Sequence, residues 1–175
     1  VYWLNDLSSS KISDLDQIRG LSTNDPLIIG DTPISIQDAL AVGRGTQVQL
    51  SKSARERIAR SRVQIEDYTQ KNAVYGFSRG FGQHQDIPVP LEGQRLLQHN
   101  LITTHAVSFG GPANHELVRM TMLFRINSLA MGHSGVRLAL VEHLIKVLNH
   151  PDISPYVPLI GSLGASGDLS SMSHI

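Results

Sequence analysis

Near the end of the chain, Gly161-Ser162-Leu163-Gly164-Ala165-Ser166-Gly167 sets three glycines among small side chains. Glycine opens backbone conformations closed to other residues, and two readings follow. The plain one is a turn capping a helix that begins after Asp168, which is all that glycine spacing alone requires. A nucleophile elbow would need glycine at position 168, where Asp168 stands. A phosphate-binding loop would need Lys followed by Ser or Thr after the last glycine, and neither follows. The chemical reading is self-cyclisation. If the loop presses the Gly167 nitrogen onto the Ala165 carbonyl carbon, the backbone closes a five-membered ring. Loss of two waters, one from the ring and one from the Ser166 side chain, leaves a methylidene conjugated with an imidazolone. Gly167 offers an unhindered nitrogen, Ser166 supplies the leaving hydroxyl, and Ala165 keeps the site small. The product is an electrophile made from the chain itself, so no external cofactor is required.

The nine residues from Gly161 to Leu169 resemble the signature of the histidine, phenylalanine and tyrosine ammonia-lyases and their aminomutase relatives. Three further stretches carry the same resemblance in the same order. Tyr75-Gly76-Phe77-Ser78-Arg79-Gly80-Phe81-Gly82 is similar to the family's tyrosine loop. Leu97-Gln98-His99-Asn100-Leu101, followed by Thr104-His105, is similar to the segment that selects the substrate ring. Arg125-Ile126-Asn127-Ser128-Leu129-Ala130 with Gly132-His133-Ser134-Gly135-Val136-Arg137 is similar to a helix–turn–helix of the family core. The resemblance covers residues 27–175. Two positions depart from it: Arg79 replaces the usual Thr, and Ser171-Met172 stands where Pro-Leu is usual.

The resemblance implies roles that the residues alone leave open. Tyr75 is either a half-buried structural tyrosine or, by resemblance, the base that removes the substrate's β-proton. A free tyrosine has a pKa of about 10, so a base at neutral pH needs help from its surroundings or from the cyclised group. Gly82 and Leu163 join the substrate-binding set by the same resemblance. A lone histidine on a helix is most often structural, yet His105 holds the place of the family's ring-contacting residue. Thr104-His105 is nearer the pair found in histidine lyases and bacterial tyrosine aminomutases than the pair of phenylalanine enzymes. The implied reaction eliminates ammonia from an aromatic L-amino acid, histidine or tyrosine rather than phenylalanine. An aminomutase that returns ammonia to the β-carbon is the first alternative; a catalytically silent fragment or interaction domain is the second. The other histidines lack ligand spacing, so no metal site is expected.

The elements that must position these residues are mainly α, with a few short N-terminal strands. Residues 1–25 read as a polar arm, and residues 26–175 as the N-terminal part of the ammonia-lyase fold, ending just after the electrophile loop. Two β-prone runs, 27–29 and 48–50, flank a short helix with Ser35 as its N-cap. Ala54, Ile58, Ser61, Ile65 and Tyr68 mark one face of the next helix, with Ser53 and Glu56 as a capping box. Arg55, Arg57, Arg60 and Arg62 read as its solvated face. Asn72 closes it, and 74–76 reads as a strand end running into the glycine-rich loop. Helices are expected over about 92–106, 114–131 and 134–148, with a break at Gly110-Gly111-Pro112 and a proline-stiffened connector from Asn149 to Pro158. Residues 132–137 belong to helix packing and the turn.

Fifteen basic and fifteen acidic residues leave the 175-residue chain with no formal net charge. Nucleic-acid and anionic-membrane partners usually demand a basic excess, so neither is expected, and the longest apolar runs are too short to span a bilayer. The first residues lack the pattern of a signal peptide, which favours the cytoplasm. A chain beginning at Val1 and stopping within opening helical turns reads as a truncated piece, inactive by itself, of what the resemblance implies is a homotetramer.

Overall fold

Leu27–Ile29 (β1) and Val48–Leu50 (β2) form a parallel pair, with Leu27 opposite Val48 and Ile29 opposite Leu50. Parallel strands need a crossover, here helix α1, Ile36–Gly43. The Ser35 hydroxyl accepts the Asp38 N–H at 3.1 Å, and the Asp38 carboxylate accepts the Ser35 N–H at 2.9 Å, a reciprocal cap. The computed structural model describes residues 25–162 and 168–175. Leu163, Ala165, Ser166 and Gly167 therefore lie outside the described residues, as does the expected arm apart from Asp25.

Helix α2, Lys52–Lys71, starts two residues earlier than expected. Its N-cap is Ser51, whose hydroxyl accepts the Ala54 N–H at 3.0 Å, while Ser53 donates to Asp31. β2 ends at Leu50, so the first hydroxyl after the strand takes the cap. Ala54 and Ile58 are buried, Ser61 and Ile65 half-buried, and Tyr68 exposed, so the expected stripe leaves the core along the helix. The arginine face is a correction. Arg55 pairs with Glu142, Arg57 donates to Asp31 and the Gly30 and Ala130 carbonyls, and Arg62 donates to Glu66 and the Gly135 carbonyl. Arg60 keeps to the exposed surface. Three of the four thus tie α2 to its neighbours.

The remaining helices are α3 (Leu91–His105), α4 (His115–Ala130), α5 (Leu138–Asn149) and the short α6 (Leu169–Met172). Helix α4 is central: Val118, Met122, Leu123, Ile126, Leu129 and Ala130 are buried against α1, α2 and α5. Each fully buried large aliphatic side chain contributes about 1.5–3 kcal/mol. Asn114 caps α4 through the Leu117 N–H at 2.7 Å. The helix expected from 134 begins at Leu138, because Gly132 and Gly135 adopt φ +75° and +62° and turn the chain. A Cβ on Gly132 would stand 2.9 Å from the Arg57 Cβ, so the turn packs directly on α2.

Two long-range ties complete the frame. The Asn149 amide accepts the Val48 N–H at 2.8 Å and donates to the Val48 carbonyl at 2.9 Å, standing in for a neighbouring strand. Arg119, buried in α4, donates to the carbonyls of Val42, Thr46 and Leu148, and burial pushes its pKa below the ordinary arginine value. Strands are also not confined to the N-terminal part. Phe109–Pro112 (β3) pairs antiparallel with Pro158–Ile160 (β4), with a register shift between Phe109 and Pro112.

Candidate active site

The segment at 74–76 is a turn, not a strand end. The N–H groups of Phe77, Ser78 and Arg79 all donate to the Val74 carbonyl, and the Ser78 hydroxyl accepts the Val74 N–H at 2.9 Å. Gly76 sits at φ +69°, and the Phe81 ring occupies the space that a Cβ there would need. The Tyr75 and Phe81 rings meet edge to face, centroids 5.5 Å apart. Arg79 donates to the Asp86 carbonyl, and its backbone bridges to Pro88, closing the loop on itself. The Gly82 N–H donates to the phenolic oxygen of Tyr75 at 3.1 Å. From α3, the Gln98 side-chain nitrogen donates to the Gly76 carbonyl at 2.7 Å.

His105 is the last residue of α3. Its Nδ1 lies 2.7 Å from the Leu101 carbonyl. A carbonyl can only accept, so Nδ1 carries the proton and Nε2 of the neutral ring is left as an acceptor.

Tyr75, Phe81, Gly82, Leu101, His105 and Leu169 line one open cleft of about 690 Å³. Three of the expected site residues, Tyr75, Gly82 and His105, are thereby brought together. Leu169 opens α6 immediately after the undescribed residues 163–167. The flanks of that stretch are held close: the Ser162 hydroxyl donates to Asp168 Oδ1 at 2.6 Å, and the hydroxyls of Ser108 and Ser170 are hydrogen-bonded. β4 delivers the chain to Gly161, where a Cβ would collide with the Ser108 hydroxyl. Phe81, Leu101 and Leu169 were not singled out from sequence. Leu101 was within reach, since it stands four residues before His105 on the same helical face.

Residues 34–175 match the family model described as aromatic amino acid lyase. A curated histidine ammonia-lyase from Deinococcus radiodurans is 43% identical over 150 residues, covering 85% of this chain and 28% of that enzyme. The chain therefore spans under a third of the length of the curated relative it matches. Two solved structures are also similar. The ergothioneine-degrading enzyme ergothionase from Treponema denticola aligns with a TM-score of 0.81 and 31% identity, covering 86% of this chain and 30% of that one. Tyrosine aminomutase from Streptomyces globisporus aligns with a TM-score of 0.79 and 29% identity, covering 86% and 28%.

Proposed function

Because the chain belongs to the aromatic amino acid lyase family, we propose that the protein it forms part of is an ammonia-lyase acting on an aromatic L-amino acid. Histidine is preferred, then tyrosine, and phenylalanine last. The observation that carries this reading is the convergence of Tyr75, Gly82 and His105 on one cleft whose wall continues into Leu169. A methylidene-imidazolone closed from Ala165-Ser166-Gly167 supplies an electrophile that makes ammonia a better leaving group. The side chains around it do the rest. Tyr75, after giving up its phenolic proton, receives the β-proton on the oxygen that the Gly82 N–H holds in place. Phe81 and Leu101 give the aromatic ring apolar walls. Nε2 of His105, the free acceptor, suits a ring that carries its own N–H or O–H donor. Phenylalanine has none, and a buried acceptor left unpaired costs about 1–3 kcal/mol.

Tyr75 is 60% exposed and α3 buries no residue among those described, which supports completion of the cleft by other chain. By family resemblance, that other chain is supplied within a homotetramer. An aminomutase is the second reading, favoured by the likeness to tyrosine aminomutase. The deciding experiment incubates the full-length protein with L-histidine, L-tyrosine and L-phenylalanine separately. Arylacrylate and ammonia support the lyase, and a β-amino acid supports the mutase. Neither product from any of the three would overturn the proposal.

A further inference from the structure

Helix α3 lines two clefts with one face. Leu101 and His105 face the Tyr75 cleft. Leu91, Gln94, Arg95 and Gln98, spaced by three and four on the same face, line a second cleft of about 600 Å³ with Arg62, Phe77 and Arg137. The Tyr75–Phe77 turn separates them, fastened to α3 by the Gln98–Gly76 hydrogen bond.

The second cleft has three guanidinium groups in its wall and no carboxylate. Arg62 lies over the Phe77 ring, 5.4 Å from its centroid, and is shared with Glu66 and the Gly135 carbonyl. Among the described residues, the side chains of Arg95 and Arg137 form no hydrogen bond or ion pair. Two helix starts border the same space: Leu91 opens α3, and Arg137 is the N-cap residue of α5. Neither start is capped by a side chain, so both keep the partial positive charge of unpaired N–H groups. With Arg62 already neutralised by Glu66, the unpartnered cations Arg95 and Arg137 and the two uncapped helix starts favour an anion between them, and the Gln94 and Gln98 amides add neutral donors.

We propose that this cleft binds a small oxyanion with two or more negative charges, phosphoryl or dicarboxylate, behind the Tyr75 turn. The assignment does not depend on the reaction proposed above. Inorganic phosphate and, in a parallel series, malonate are titrated calorimetrically into the purified full-length protein at low, constant ionic strength. We expect saturable binding of at least one, and the stronger of the two identifies the source chemistry. Arg95→Gln and Arg137→Gln should each weaken it by at least about tenfold, while Arg60→Gln, outside the cleft, should leave it unchanged. Arg95 is exposed, so its replacement leaves the core intact and lost binding there is not lost folding. Amide exchange over residues 76–98 should slow on saturation. No saturable binding of either anion, wild-type affinity in both cleft variants, or protection confined to other segments would each overturn the assignment.

Discussion

The backbone N–H of Gly82 donates to the phenolic oxygen of Tyr75 at 3.1 Å, seven residues back along the same loop. The hydroxyl is therefore aimed by its own loop. Gly76, at φ +69° beneath the Phe81 ring, makes the loop tight enough for that bond. Tyr75→Phe removes one hydroxyl from an exposed side chain and leaves the edge-to-face contact with Phe81. Turnover of the full-length enzyme should fall about 10²–10⁴-fold, the usual cost of losing a general base, with an unchanged thermal midpoint. A Phe variant within a few-fold of wild type would make Tyr75 structural.

Self-cyclisation is read out by mass. The full-length protein should fall two waters short of its encoded mass. Ser166→Ala should lose at most the water of ring closure, because its side chain has no hydroxyl to leave, and activity should vanish with it. A fully active protein of full encoded mass would end the cyclisation account.

These two tests bear on residues that were readable from sequence for different reasons. Ser166 could be proposed from sequence because the chemistry proposed for it is local: ring closure would need Ala, Ser and Gly in succession. Tyr75, Gly82 and His105 were proposed one motif at a time; that they line one cleft is tertiary packing, the Gln98–Gly76 bond included, which no spacing announces. The frame behind them was less readable. Gly110-Gly111-Pro112 has low strand propensity, yet Phe109–Pro112 pairs with Pro158–Ile160 across the 45 residues between Pro112 and Pro158, a partner no local pattern announces. The α2 arginines read as solvated because their partners, Gly30, Ala130, Gly135 and Glu142, are remote in sequence. The cap at Ser51 rather than Ser53 was a choice between two good N-caps, settled by where β2 ends.

His105 tests substrate choice. With Nδ1 committed to the Leu101 carbonyl, Nε2 is the group that can tell a donor-bearing ring from a bare one. His105→Phe should lower kcat/KM for histidine by about a hundredfold or more, and shift the histidine-to-phenylalanine ratio toward phenylalanine, since polar sites reject rings lacking their partner far more strongly than apolar ones. An unchanged ratio, measured by competing the two substrates, would remove His105 from ring selection.

Arg119 concerns stability alone. The last carbonyls of any helix lack partners within it, and Val42 and Leu148 lie in the final turns of α1 and α5. The buried guanidinium takes both, together with Thr46 before β2, and it places positive charge where two helix dipoles end negative. One side chain thus closes two helices and fastens them to α4. Burial opposes this by disfavouring the charge, so the net benefit rests on all three acceptors being engaged. Arg119→Met fills similar space but strips the Thr46 and Leu148 carbonyls of their donor and leaves Val42 only the Gly45 N–H, which should cost about 2–4 kcal/mol. Arg119→Lys should recover less than half, because an ammonium lacks the planar fork that reaches separate acceptors. Denaturant unfolding of the purified variants, read by far-UV circular dichroism, measures both. A Met variant within about 0.5 kcal/mol of wild type, the range of an ordinary surface change, would show that water satisfies these helix ends and that Arg119 does not hold them together.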